Sequence, residues 1–160
     1  MTTPPAHTEH DIRRFFGRFA AHNTEKHGAP DRLMAYRMDL LHRYGQFKPT
    51  DVVLDVACGD GKHLFALDGH IREGIGVDFS EGMIATACRQ IGNGYQSSFS
   101  YRTDNARKLE TIPDASVDVV MCTGALEHIL DKQAVLDAAA RVLRPGGRFG
   151  CLTLNDGFLW

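Results

Sequence analysis

Acidic residues recur in this chain where the backbone must turn. Asp55-Val56-Ala57-Cys58-Gly59-Asp60-Gly61, Asp78-Phe79-Ser80-Glu81 and Asp104-Asn105-Ala106 each open on a carboxylate followed by small or capping residues, and a further turn, Thr123 to His128, carries Glu127 and His128. Small residues in the first turn let the backbone bend sharply and let a ligand come close. Asp55 would aim a carboxylate at any pyrophosphate there, and Leu64 stands where a dinucleotide fingerprint needs its third small residue. A cationic ligand fits better, and a nicotinamide-dependent oxidoreductase is disfavoured. His128 is the candidate general base, since imidazoles titrate near neutral pH; the competing reading has it capping a helix or lining the pocket. His22 is a second candidate, and His63 is expected on the solvent side of its helix.

These turns need elements to hold them. Val52 to Val56 is a short, mostly β-branched run that reads as a strand, and Lys62 to Asp68 then reads as a helix. The unit recurs with Gly74 to Asp78 as strand, Ser80 as helix cap, and Met83, Ile84, Ala87 and Ile91 along the next helix. Phe99 to Thr103 and Val117 to Cys122 supply further strands. A helix from Asp131 to Leu143 follows, and Arg144-Pro145-Gly146-Gly147 turns the chain into a fifth strand, Arg148 to Leu154. Strands alternating with helices predict an α/β fold, a doubly wound, mainly parallel sheet covered on both faces. Ligands of such sheets sit at the carboxyl ends of the strands, where the acidic turns lie.

Upstream, Asp11 to Ala21 spaces Ile12, Phe15, Phe16 and Phe19 as an amphipathic helix, and Asp31 can cap a second helix carrying Leu33, Met34, Met38, Leu41 and Tyr44, with Gly45 as its stop. Residues 1–50 are expected to form a helical lid and residues 51–160 an α/β core, within one domain. The 160 residues are 43% hydrophobic and 24% charged, enough for a real core. A net charge of -2 gives no basic field for nucleic acid, so a small-molecule or protein partner is expected. No run resembles a signal sequence or reaches membrane-spanning length, which points to the cytoplasm. Cys58, Cys88, Cys122 and Cys151 are far apart and form no C-x-x-C pair; they read as reduced, mostly buried thiols, and no metal site is assigned.

Val53-Leu54-Asp55-Val56-Ala57-Cys58-Gly59-Asp60-Gly61 resembles the first motif of class I S-adenosylmethionine (SAM)-dependent methyltransferases, with Ala57 where that pattern has its first glycine. Gly76-Val77-Asp78-Phe79-Ser80 resembles the second motif, Thr103-Asp104-Asn105-Ala106 the third, and Asp114 to His128 the fourth with its loop. Val142 to Arg148 matches the turn into the fifth strand, and Phe16 to Asn23 is similar to the entry segment of quinone-biosynthesis methyltransferases, with His22 and Asn23 replacing the usual Tyr and Asp.

The resemblance implies a Rossmann-like core that binds SAM through Asp55, Ala57, Cys58, Gly59, Gly61, Asp78, Phe79, Met83, Asp104, Asn105, Ala106 and Thr123. Asp78 would accept hydrogen bonds from both ribose hydroxyls. Phe79 and Met83 would flank the adenine, or simply pack in the core. Asp104 would meet the adenine amine and the Ala106 N–H the ring edge, unless Asp104 caps a short helix, Asn105 to Leu109. Methyl transfer is an in-line displacement in which positioning alone lowers the barrier by about 7 to 11 kcal/mol. A base such as His128 matters when the acceptor is a hydroxyl or an acidic carbon.

The family continues beyond strand five with a helix and an antiparallel strand pair. The resemblance therefore implies that the last strands of the sheet are missing here and that strand five is an exposed edge: either the chain is a fragment of a longer protein, or a homodimer covers that edge, or the chain binds cofactor with little catalysis. The expected function is methyl transfer to an oxygen, nitrogen or carbon atom of a small acceptor. The alternative is a non-catalytic SAM-binding or partner-binding module.

Overall fold

The computed structural model describes residues 30–92 and 94–153. The amphipathic segment Asp11 to Ala21, His22, and the terminal residues Phe158, Leu159 and Trp160 lie outside them.

Helix α1, Pro30–Tyr44, leads into β1, Val52–Val56, the one-turn helix α2, Lys62–Phe65, and β2, Glu73–Asp78. Then come α3, Glu81–Gln90, β3, Ser98–Thr103, β4, Val117–Thr123, a short 3-10 turn, Leu126–His128, α4, Lys132–Val142, and β5, Leu143–Leu152. The sheet has the order β3-β2-β1-β4-β5, and each neighbouring pair is parallel. The chain winds outward from β1 to β3 and then returns to the other side of β1 to place β4 and β5. The reversal between β1 and β4 is the topological switch point at which such sheets bind ligands.

Period-two alternation divides the core between two faces. Val52, Leu54 and Val56 of β1 join Val120 and Cys122 of β4 under Val135, Ala138, Ala139 and Val142 of α4. Val53 of β1 and Val119 and Met121 of β4 turn the other way, against Met38 and Leu41 of α1, Leu64 of α2, and Leu67 and Ile71 beyond it. Both faces are covered, so β1 is buried along its whole length.

Local chemistry fixes the helix ends. The Ser80 hydroxyl accepts from the Met83 N–H at 3.4 Å, and the Asp131 carboxylate accepts from the Ala134 N–H at 3.0 Å. Gly45 stops α1 with its N–H donating to the Leu41 carbonyl at 2.7 Å. Asp31 lies within the first turn of α1, since the helix starts at Pro30.

Several expectations are corrected. The helix after the first turn is Lys62–Phe65, and residues 66–70 continue as turns in which the Leu67 and Asp68 N–H groups donate three residues back, to Leu64 and Phe65. Ile91 caps the end of α3 and is exposed, so it leaves the buried stripe. Arg144-Pro145-Gly146-Gly147 is an irregularity inside β5: Val117 pairs with Leu143 and Val119 with Arg148, so several extra residues bulge between two paired ones. Residues 105–109 form turns with no short helix.

Candidate cofactor site

The site is assembled at the carboxyl ends of β1, β2 and β4. After β1 the chain makes its turn with positive φ at Ala57, Gly59 and Gly61, at 59°, 56° and 80°. Ala57 thus holds a left-handed conformation that costs a residue with a Cβ about 1–2 kcal/mol. A Cβ on Gly61 would lie 2.6 Å from the Tyr101 hydroxyl, so this glycine is required for packing as well as for its φ. A Cβ on Gly59 would meet nothing within 4 Å, so this side of the turn is open space.

Asp78 ties the turn to β2. Its Oδ2 accepts from the Gly59 N–H at 3.0 Å and its Oδ1 from the Ser80 N–H at 2.9 Å. Burial nevertheless raises its carboxyl above the ordinary range, against the lowering effect of hydrogen bonds from Ser80, Gly59 and Phe79. The carboxylate keeps acceptor capacity for a further donor. Phe79 follows, half-buried, and Met83 is buried at the start of α3. Cys58 is buried within the turn, and burial followed by the Asp55 charge pushes its thiol well up, as expected for an inert structural cysteine.

Asp55 is the anomaly. It is 1% exposed, and neither carboxylate oxygen has a hydrogen-bond partner. Burial, and then the charge of Asp78, push its carboxyl well above the ordinary range. The Thr123 Oγ1 at the end of β4 is also buried without a partner. Alternation puts both side chains on the face of Val53 and Met121, beneath α1. Orphaned buried polar groups are rare and costly, and a ligand carrying donors and positive charge would satisfy both. The residues therefore fit a cationic, hydroxyl-bearing cofactor such as SAM.

Asp104 has other immediate employment. Its Oδ1 accepts from the N–H groups of Asn105 and Glu110, and its Oδ2 from the N–H and hydroxyl of Thr111 at 2.8 and 2.6 Å. These bonds outweigh burial and lower its carboxyl below the ordinary range. An adenine amine approaching Asp104 would have to displace one of these donors. The Asn105 side chain accepts from the Arg107 N–H at 2.9 Å, leaving half-buried Ala106 at the bend of the same loop. His128 is exposed at the end of the 3-10 turn that follows β4.

His63 corrects the solvent-side expectation: its Nε2 is buried and without a partner. Burial, and then the neighbouring Arg37 guanidinium, lower this imidazole to about 4, so it is neutral. The reason is that α1 lies over the single turn of α2. Arg37 is the residue that the sequence reading missed. A Cβ on Gly124, just beyond β4, would overlap its guanidinium, so the side chain reaches from α1 across the end of that strand. The available signal was a charge among Met34, Met38 and Leu41 on the inward side of a helix. Among the described residues no cluster of three or more His, Cys, Asp or Glu is placed to hold a metal.

Comparison with known proteins agrees with this geometry. Residues 54–151 match the model of the family described as methyltransferase domain. The chain is 32% identical over 166 residues to a demethylmenaquinone methyltransferase of Symbiobacterium thermophilum, covering 96% of this chain and 63% of the relative. It is 35% identical over 105 residues to a ubiquinone biosynthesis O-methyltransferase of Methylococcus capsulatus, covering 64% of this chain and 43% of that protein. The chain thus spans less than two thirds of the length of these relatives. Among solved structures, the complex between the Haloferax volcanii Trm112 methyltransferase activator and a putative methyltransferase matches with a TM-score of 0.73 and 30% identity, over 85% of this chain and 58% of the matched one. The order of the sheet, the glycine turn closed by Asp78 and the match over residues 54–151 agree: the chain belongs to the class I methyltransferase domain family, whose cofactor is S-adenosylmethionine.

Proposed function

We propose that this chain transfers the methyl group of SAM to an oxygen, nitrogen or carbon atom of a small molecule. The observation that supports this most is the pair of buried, unpartnered groups, Asp55 and Thr123, at the carboxyl ends of the adjacent strands β1 and β4. When bound, SAM supplies an activated methyl on a sulfonium, released by in-line displacement. Asp55 would take the amino group of its methionine portion, with Thr123 beside it, and Arg37 the carboxylate. Asp78 would use its remaining lone pairs for the ribose hydroxyls. Ala57, Cys58 and Gly61 shape the turn, while Phe79 and Met83 would flank the adenine. The edge of that ring falls to the Ala106 N–H, with Asp104 and Asn105 holding the loop. His128, on the loop after β4, would accept a proton from a hydroxyl acceptor.

The relatives named for quinone methylation favour a phenol or hydroquinone acceptor. Residues 1–50 would then serve as the lid, a second copy would pair along the edge strand β5, and the unpaired state of all four cysteines fits a cytoplasmic setting. Among the described residues no helix is long and apolar enough to cross a membrane.

Calorimetric titration with SAM and S-adenosylhomocysteine, with an NAD control and an Asp78→Ala variant, tests the site; a methyl-transfer assay over phenols and hydroquinones tests the reaction. Micromolar binding lost in the variant, together with turnover, is the expected result. Binding without turnover on any acceptor would move the reading to a non-catalytic SAM-binding module, and NAD binding would overturn it.

A further inference from the structure

We infer that His63 is a cofactor-positioning residue, whose imidazole donates from Nε2 to the carboxylate at the amino-acid end of the cofactor, alongside Arg37. The inference rests on the proposed SAM site and adds to it a residue that no sequence motif marks. His63 belongs to α2, which follows Gly61 and packs Leu64 into the same core face as Val53 and Met121. That is the face on which Asp55 and Thr123 stand. Arg37 crosses from α1 to the end of β4 and is the strongest charged neighbour of His63, with Asp60 and Lys62 behind it. Asp60 is already paired with Lys62 at 2.8 Å, so it does not claim the imidazole.

A buried ring nitrogen without a partner, next to a guanidinium for which no carboxylate partner stands among the described residues, marks a place that an anionic group would complete. A carboxylate there would accept from both. Arg37 alone offers charge; His63 adds a fixed direction, because its ring is held under α1 while a guanidinium on a long stem can swing.

The test compares two ligands that share adenosine and differ at this end. S-adenosylhomocysteine carries the amino acid; 5′-methylthioadenosine lacks it. His63→Leu is expected to weaken S-adenosylhomocysteine about tenfold in calorimetric titration and to leave 5′-methylthioadenosine unchanged. His63→Gln, whose amide can still donate, is expected to recover most of the loss. In the wild-type protein the His63 imidazole resonances should move with S-adenosylhomocysteine and stay with 5′-methylthioadenosine, a readout independent of any variant's folding. Equal losses on both ligands, no loss on either, or an unmoved imidazole overturns the inference. If the wild-type chain binds neither ligand, the cofactor reading itself fails and this one with it.

Discussion

Asp55 lies one residue before the end of β1 and Asp78 ends the neighbouring parallel strand β2, yet only Asp78 has donors for its carboxylate. The asymmetry divides their work: one holds the turn together, and the other is left charged-or-protonated in a dry place until something cationic arrives. Because burial and Asp78 raise the Asp55 carboxyl, the folded chain binds that proton more tightly than the unfolded chain does. Without ligand, stability therefore falls as pH rises from the ordinary carboxylate value of 3.8 through the raised one.

Asp55→Asn should stabilise the ligand-free protein at neutral pH by about 1–3 kcal/mol in urea unfolding, while weakening SAM by about 10- to 100-fold. For the wild type, SAM affinity should climb with pH across the same range, because the cofactor pairs with the ionised form. An Asp55→Asn variant that binds SAM as well as the wild type would remove Asp55 from the site.

Ala57 provides a test of strain. At φ 59° it would be relieved by glycine, gaining about 1–2 kcal/mol in the folded state. Glycine also makes the unfolded chain more flexible, which costs about 0.4–1 kcal/mol. The folded-state term is the larger, so Ala57→Gly should raise stability by about 0.5–1 kcal/mol in urea unfolding. A decrease would mean that the Ala57 methyl packs favourably enough to offset its backbone.

Gly59 and Gly61 differ in what surrounds them, and alanine should reveal it. Both have positive φ, but only at Gly61 would the new methyl strike Tyr101. Gly61→Ala should cost about 1–3 kcal/mol more in thermal unfolding than Gly59→Ala. Gly59→Ala, which puts a methyl into the open space beside the turn, should show its larger effect in the SAM titration. The opposite ordering in unfolding would mean that Tyr101 yields to the new methyl, and in the titration it would place the cofactor away from Gly59.

Much of this was legible because the determinants are local. Val52 to Val56 and Val117 to Cys122 are buried on both faces, so they read as unbroken apolar strands apart from Asp55 and Asp118, and Ser80 and Asp131 are caps recognisable by type and position. Asp55 stood out for the same reason, as a carboxylate inside an apolar strand. The misreadings arose where a distant element decides the outcome. His63 faces inward because α1, which precedes it by some twenty residues, covers α2. Arg37 joins the site because the sheet order brings β4 next to β1. The extra residues in β5 are set by pairing with β4, and no property of Arg144-Pro145-Gly146-Gly147 distinguishes a bulge from a turn.

His63 should also show itself in acid. Its imidazole is lowered from 6.5 to about 4, so its contribution to stability is complete above 6.5 and is lost as pH falls toward the folded value. At roughly 1.4 kcal/mol per pH unit the loss approaches about 3 kcal/mol. Asp55 acts in the opposite direction as it takes up its proton, so the expected observable is the difference between wild type and His63→Gln. The variant should lose less stability than the wild type between pH 6.5 and 4 in urea unfolding. Parallel curves would mean that the imidazole is solvated in the folded chain.

Asp104 is where the structure and the motif pull apart, and stability can be set against affinity. Its carboxylate gathers four donors from Asn105, Glu110 and Thr111, and the loop so closed carries Leu109 and Ile112 into the core under α4. Asp104→Asn would turn an amide NH2 toward some of those donors and should cost about 2–4 kcal/mol of stability. Thr111→Val removes one hydroxyl and should cost about 1 kcal/mol. Because hydrogen bonds lower the Asp104 carboxyl despite its burial, the contribution is present above the ordinary carboxylate value of 3.8 and disappears only as pH falls through the lowered one. The loop role thus predicts that Asp104→Asn loses stability at neutral pH, and that Thr111→Val weakens SAM by no more than a few-fold. If instead Asp104→Asn kept full stability and lost SAM binding, the carboxylate would be a direct adenine ligand and its four contacts dispensable.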